Sequence, residues 1–293
     1  MKEIVVISGK GGTGKTSLMA SFALLSSKAV LADCDVDAAD LHILLSPTVR
    51  ERHDFRSGVE AEIDANRCNA CGACLNLCRF GAIKETKGVF RVDPASCEGC
   101  GVCARFCPHS AVNLKNRLCG VWMVSDTRAG PMVHARLGIA AENSGKLVST
   151  VRQEARRIAG ETNREMILID GPPGTGCSVI ASVSGASAVV AVAEPTVSGE
   201  HDLLRVLDLA GHFGIPAFVC VNKWDICPAM AVRIEELAAA KGAVFLGRIR
   251  YDDGVTEAQK QAKTAVETGA ACAVDIGDIW NKLQQRMEKE NKR

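Results

Sequence analysis

Eight of the fourteen cysteines fall in two runs of identical spacing. Cys68, Cys71, Cys74 and Cys78 occupy CNACGACLNLC. Cys97, Cys100, Cys103 and Cys107 occupy CEGCGVCARFC, 29 positions later. Gly72/Gly101 and Ala82/Ala111 keep the same offset, so the segment is an internal duplication. Thiolates are soft ligands, and C-x2-C-x2-C-x3-C is a spacing that holds four-iron clusters. The fourth cysteine of each run then serves the other cluster. The expected sets are Cys68, Cys71, Cys74 and Cys107 for one 4Fe–4S cluster, and Cys97, Cys100, Cys103 and Cys78 for the other. Gly72 and Gly101 keep the loops small enough to wrap an inorganic core. Zinc is the competing occupant, and two interlocked four-cysteine sets argue against it. Arg79 follows Cys78 where Pro108 follows Cys107, which adds positive charge beside one cluster.

A second chemistry lies upstream. Gly9 to Thr16 fits G-x-x-x-x-G-K-[ST], follows an apolar run and opens a helical stretch. Such a loop wraps phosphates with backbone N–H groups, and the helix N-terminus adds a favourable dipole. Lys15 is expected on the β- and γ-phosphates and the Thr16 hydroxyl on Mg2+. Gly9, Lys10, Gly11, Gly12, Thr13, Gly14, Lys15, Thr16 and Ser17 make up the cradle. A purely structural glycine turn would not need the lysine and threonine at these spacings.

These residues need a frame. EIVVIS and AVLAD are short, continuous apolar runs, as expected of strands covered on both faces. MILID, AVVAVAE, PAFVCVN and AVFLGRI follow late in the chain. Helical stretches are expected at 16–26, 198–212 and 228–241. Strands alternating with helices predict a mostly parallel sheet covered by helices. The alternation stops between about Ser57 and Leu118, where the cysteine runs lie. The chain therefore reads as one discontinuous domain, 1–56 and 118–293, with an inserted unit at 57–117. Insertions in surface connections cost little.

KGGTGKT, ADCDVDAADL, ILIDGPPGTG, EPTVSGEHDL and NKWD together resemble the MinD/ParA-like, deviant-Walker-A P-loop ATPases. The whole chain resembles MinD-superfamily members with an inserted two-cluster bacterial ferredoxin domain. The resemblance implies an α/β P-loop NTPase fold with a small α+β ferredoxin-like insertion. It implies ATP, Mg2+ and two 4Fe–4S clusters as cofactors. It implies that Lys10 reaches a partner's nucleotide across an ATP-dependent homodimer. Asp35 would orient or deprotonate the attacking water, so Lys10, Lys15 and Asp35 form the expected catalytic set. Asp170 would hold Mg2+ with Thr16, Asn222 would contact the base, and Asp33 and Asp40 would support. Asp225 leaves a guanine reading open, because N-K-x-D also reads guanine; Lys10 points to ATP.

Net charge is +1 and aromatic residues make up 4%, against nucleic-acid binding. No leader pattern or membrane-length apolar run is present, so a cytoplasmic chain with metal-binding thiols is expected. Ile276, Ile279, Trp280, Leu283 and Met287 have helical spacing, which predicts a terminal helix docked on the core with a frayed tail and no membrane contact. Cys34, Cys119, Cys177, Cys220, Cys227 and Cys272 lie outside the runs. Cys177 follows Asp170 by seven residues, the spacing of a cluster ligand in the nitrogenase iron proteins, which it resembles in this respect. His134 and Arg136 are open to a partner, an anion or simple packing. Three functions compete. One is an ATP-gated electron carrier with a redox partner. The second is a carrier or assembly factor for clusters or a metal cofactor. The third is a MinD/ParA-type positioning ATPase with redox-sensing clusters. Fully ligated ferredoxin motifs favour the first.

Overall fold

The computed structural model describes residues 1–290 apart from Ser27, Ile139, Ala140 and Glu142. The expected frayed tail at 291–293 lies outside the described residues. The chain divides into two compact units. The first comprises residues 1–52, 122–136 and 144–293; the second comprises 53–121 and 137–143. The expected insertion, 57–117, lies inside the second. The unit is longer than the cysteine repeat because it takes in parts of two sixteen-residue strands that flank it.

The strands are β1 (Lys2–Ile7), β2 (Ala29–Asp33), β3 (Thr48–Ile63), β4 (Ile83–Thr86), β5 (Val89–Val92), β6 (Val112–Thr127), β7 (Gly130–Leu137), β8 (Met166–Asp170), β9 (Ala188–Ala193), β10 (Ala217–Asn222) and β11 (Val244–Ile249). Among the described residues the main sheet runs β11-β10-β9-β1-β8-β2-β7-β6-β3. Its central pairs, β1 with β8 and β9, β2 with β8 and β7, and β10 with β9 and β11, are parallel. Of these, β1, β2, β8, β9 and β10 are continuous apolar runs because both faces are covered. β3, β6 and β7 were not legible as strands. β3 reads TVRERHDFRSGVEAEI, polar through most of its length, and is the sheet's last strand. Its charged residues suit an edge, not a buried face.

In the first unit, helix Lys15–Leu25 and the C-terminal helix Cys272–Glu290 share one core. Phe22 and Trp280 meet there with ring centroids 5.1 Å apart. The expected stripe of Ile276, Ile279, Trp280, Leu283 and Met287 is buried in it. Among the described residues no helix is long and apolar enough to cross a membrane. On the other face, helix Ser144–Glu161 buries Leu147, Val148, Val151, Ala155 and Ile158.

That helix also buries a charge. Arg152 is 5% exposed and donates to Glu3 and to the carbonyls of Ala181 and Ser184. Arg156 is the second partner of Glu3. Removing one member of a buried pair strands the other, at a cost of about 3–5 kcal/mol. Arg152→Ala is expected to lower unfolding stability by about 3 kcal/mol. Arg157→Ala, which removes pairs with Glu154 and Glu161 on the solvent side, should change it by less than about 1 kcal/mol. Urea titration of both variants checks the contrast; equal losses would mean that the Arg152 pair is not a structural anchor.

Candidate functional site

β1 ends at Ile7, and the phosphate loop runs from Ser8 to the first helical residue, Lys15. The loop lies beyond the carboxyl ends of parallel strands, where α/β sheets bind ligands. Two of its glycines are sterically required. A Cβ on Gly9 would lie 2.2 Å from the Cβ of Asp202. Gly14 has φ 83°, and a Cβ there would lie 2.3 Å from Asn222 Nδ2. Asn222, the last residue of β10, donates Nδ2 to the Thr13 carbonyl at 2.8 Å and accepts from the Lys223 amide at 3.0 Å. It thus ties the end of β10 to the loop.

The parallel register of β2 and β8 sets Asp33 beside Asp170. Lys15, 6% exposed, donates Nζ to Asp170 Oδ1 at 2.6 Å and lies 3.6 Å from Asp35 Oδ2. The Asp35 amide donates to Asp33 Oδ1 at 3.1 Å. Among the described residues, nothing partners the buried Thr13 hydroxyl, Asp33 Oδ2 or Asp170 Oδ2. Burial pushes Asp33 well above the usual carboxylate range, with Asp170 adding repulsion and Lys15 opposing. Burial lifts Asp35 to about 6, again against the pull of Lys15. Burial alone would lower Lys15, but Asp170 and Asp35 hold it above its ordinary value. Crowded carboxylates with unpartnered oxygens suit a hard divalent cation, and Thr16 and Asp170 would hold Mg2+. Asp40 is exposed before the short helix Leu41–Leu45 and stands apart from this group.

Lys10 is partly exposed. Its Nζ donates to Ser198 Oγ at 3.2 Å and pairs with Glu194 at 3.3 Å. Lys223 shares Glu194 at 2.7 Å. Asp225 Oδ1 accepts from the Tyr251 amide at 2.7 Å, so one of its oxygens already has a backbone donor. A cavity of about 340 Å³ opens beside the loop, lined by Gly12, Gly14, Ser17, Asn222, Tyr251 and Gln259 among others. Gln259 donates to Ser17 Oγ at 2.8 Å. Tyr251 and Gln259 were not singled out from the sequence. The available signal was position: YDDG follows a strand that ends on the same sheet edge as the loop.

In the second unit the cysteines line two hollows. Cys68, Cys71, Cys74 and Cys107 line one; Cys78, Cys97, Cys100 and Cys103 line the other. Each hollow thus takes three cysteines from one run and the fourth from the other. Gly72 and Gly101, at φ 77° and 74°, open the short helices Ala73–Leu77 and Val102–Arg105. Burial raises the Cys74 thiol, with Cys68 and Cys107 adding repulsion, and raises Cys103, with Cys97 and Cys100 adding repulsion. None of the eight forms a disulfide among the described residues. Among the described residues no group of three or more His, Cys, Asp or Glu is gathered to hold a metal ion as it stands.

The remaining candidates separate. Cys34, Cys119, Cys220 and Cys272 are buried, Cys227 is half-buried, and Cys177 is exposed where helix Cys177–Val183 begins. Arg136 is exposed. His134 is a packed residue: Nε2 lies 2.8 Å from Ser125 Oγ, the ring stacks on His42, and burial lowers it to about 4.

The chain matches the CobQ/CobB/MinD/ParA nucleotide binding domain over residues 4–265. It is 33% identical over 226 residues to an uncharacterized protein of Methanocaldococcus jannaschii, covering 75% of this chain and 78% of that one. Its fold is similar to the MinC:MinD cell division protein complex of Aquifex aeolicus, with TM-score 0.59, 18% identity, and coverage of 97% of this chain and 96% of that chain. It is also similar to the septum site-determining protein MinD complexed with Mg-ADP from Pyrococcus horikoshii, with TM-score 0.56, 16% identity, and coverage of 96% and 95%. With the phosphate loop, its buried lysine and its carboxylates in place, the chain belongs to the CobQ/CobB/MinD/ParA nucleotide-binding family and is a P-loop ATPase.

Proposed function

We propose that the chain is an ATP-driven dimer switch of the MinD/ParA kind whose second unit carries two 4Fe–4S clusters. The observation that carries the switch is the buried Lys15–Asp170 pair with its unpartnered oxygens. Nucleotide would draw Lys15 onto the β- and γ-phosphates, which frees Asp170 for Mg2+. Asp35, raised to about 6 by burial, would orient the water and accept its proton. Lys10, held at the surface by Glu194 and Ser198, would exchange them for phosphate on a second copy. Support for the clusters is the donor set: four soft thiols around each hollow, shared between the runs.

The positioning-ATPase reading has better support from the comparisons than the electron carrier expected from the motifs. Similar solved structures include a MinC:MinD cell division protein complex and a septum site-determining protein MinD. In that reading the clusters report redox state to the switch. Electron transfer to a redox partner remains the second reading, because complete four-cysteine sets hold a cluster and do not release it. A cluster or metal-cofactor carrier would need an open site, and exposed Cys177 is its one motif-based candidate.

Asp35→Ala is expected to trap an ATP-bound dimer and Lys10→Ala to abolish it, read by light scattering after size exclusion with Mg-ATP. Two variants that stay monomeric at micromolar protein would refute the dimer switch. Anaerobically purified protein should hold about eight iron and eight acid-labile sulfur per chain. Cys107→Ala should damage the cluster of the first run, because that hollow takes its fourth thiol from the second. Stoichiometric zinc, with no electron paramagnetic resonance signal after reduction, would remove the cluster reading and leave the ATPase untouched.

A further inference from the structure

We infer that the two cysteine hollows are built for unequal reduction potentials, and that the hollow of Cys68, Cys71, Cys74 and Cys107 holds the higher one. This rests on the cluster reading above. The duplication makes the two hollows directly comparable, position by position. At two pairs of equivalent positions they differ in chemistry. Asn69 and His109 line the first hollow; Glu98 and Phe80, their equivalents at the 29-residue offset, line the second.

The first hollow is rich in donors. The Cys71 amide donates to Asn69 Oδ1 at 3.3 Å, which fixes the orientation of the Asn69 side chain. Its Nδ2 must then be the donor to His109 Nε2, 2.7 Å away. His109 Nε2 is then the acceptor, and the pair brings no negative charge to the lining. The Ala111 amide donates to Cys107 Sγ at 3.3 Å. Hydrogen bonds to cluster sulfur favour the reduced, more negative form and raise the potential. The second hollow has a carboxylate at the matching place. Glu98 repels an added electron, and Phe80 offers it no donor.

Full charges outside the linings do not reverse this order. Arg67 acts on Cys107 beside the first hollow. Beside the second, Arg79 follows Cys78 and Arg117 donates to the Cys97 carbonyl at 3.3 Å. One positive charge faces two positive charges and the Glu98 carboxylate, so the net balance is alike and the donors decide. One electron from a low-potential one-electron donor then comes to rest on the cluster of the first hollow, with no bond made or broken.

The test is a redox titration of the whole, anaerobically purified chain without nucleotide, followed by electron paramagnetic resonance. Mutual repulsion splits the waves even of two equal clusters, so the decisive readout is which wave each variant moves. Glu98→Gln is expected to raise the lower wave alone. Asn69→Asp is expected to lower the upper wave alone. Each should change the ratio of reduced to oxidised cluster at fixed potential by severalfold; a tenfold change is about 59 mV for one electron. Movement of the upper wave by Glu98→Gln, or waves that both variants leave in place, overturns the inference with the clusters intact. Protein without iron and labile sulfur overturns the inference together with the cluster reading.

Discussion

A buried lysine between carboxylates is the constraint on which the first unit depends. Lys15 can stay charged at 6% exposure only because Asp170 and Asp35 face it. Those carboxylates reach it only because β1, β8 and β2 are parallel neighbours in register. The same register leaves Asp33 and Asp170 each with one oxygen that nothing satisfies. Such a cluster is costly in a resting protein. It is the arrangement expected of a site that exchanges an internal cation, the lysine, for a bound one. Stability and nucleotide chemistry therefore compete for the same few atoms.

The second unit solves a different problem. Among the described residues one small buried cluster, Ala61, Ala82, Cys97 and Val112, has Cys74, Cys78, Cys103 and Cys107 packed against it. So slight an apolar interior stabilises a fold weakly. The cysteines are part of that interior, so whatever fills the hollows also completes the packing. This is the logic of small metal domains, where binding free energy is folding free energy. The duplication supplies two such hollows, and each takes its fourth cysteine from the other run.

Much of this was legible in the sequence, and the exceptions have physical causes. The buried strands β1, β2, β8, β9 and β10 announce themselves because a strand covered on both faces must be apolar throughout, and the edge strand β11 by the shorter apolar run VFL. The phosphate loop and the cysteine runs were legible because their spacing is set by chemistry. The C-terminal helix was legible from five apolar residues at helical spacing. β3, β6 and β7 were not, because strands toward a sheet edge carry charged and polar residues that read as loop. Helix Ser144–Glu161 was missed although Asn143 and Ser144 at its start are residue types that cap helices. His134 in isolation left partner, anion and packing roles open; its packing is seen only with Ser125, the Nε2 partner two strand positions before the turn into β7. Tyr251 and Gln259 belong to the site only through tertiary placement, which no local pattern encodes.

Connectivity joins the two chemistries even where nothing else is assumed. The chain leaves β2, which carries Asp33 and leads to Asp35, passes through the cysteine unit, and returns to β8, which carries Asp170. The segments on either side of the insertion thus hold the acidic groups that must rearrange when Lys15 moves from carboxylate to phosphate. β7, on the return path, pairs with β2 at Asp33 through His134. Any displacement of β7 relative to β2 would therefore act on Asp33 through backbone register. Binding linkage then runs both ways: if nucleotide biases those strands, so must the occupants of the cysteine hollows, by the same free energy. A simple tether would not require the insertion to fall between the two acidic strands; a coupled switch would.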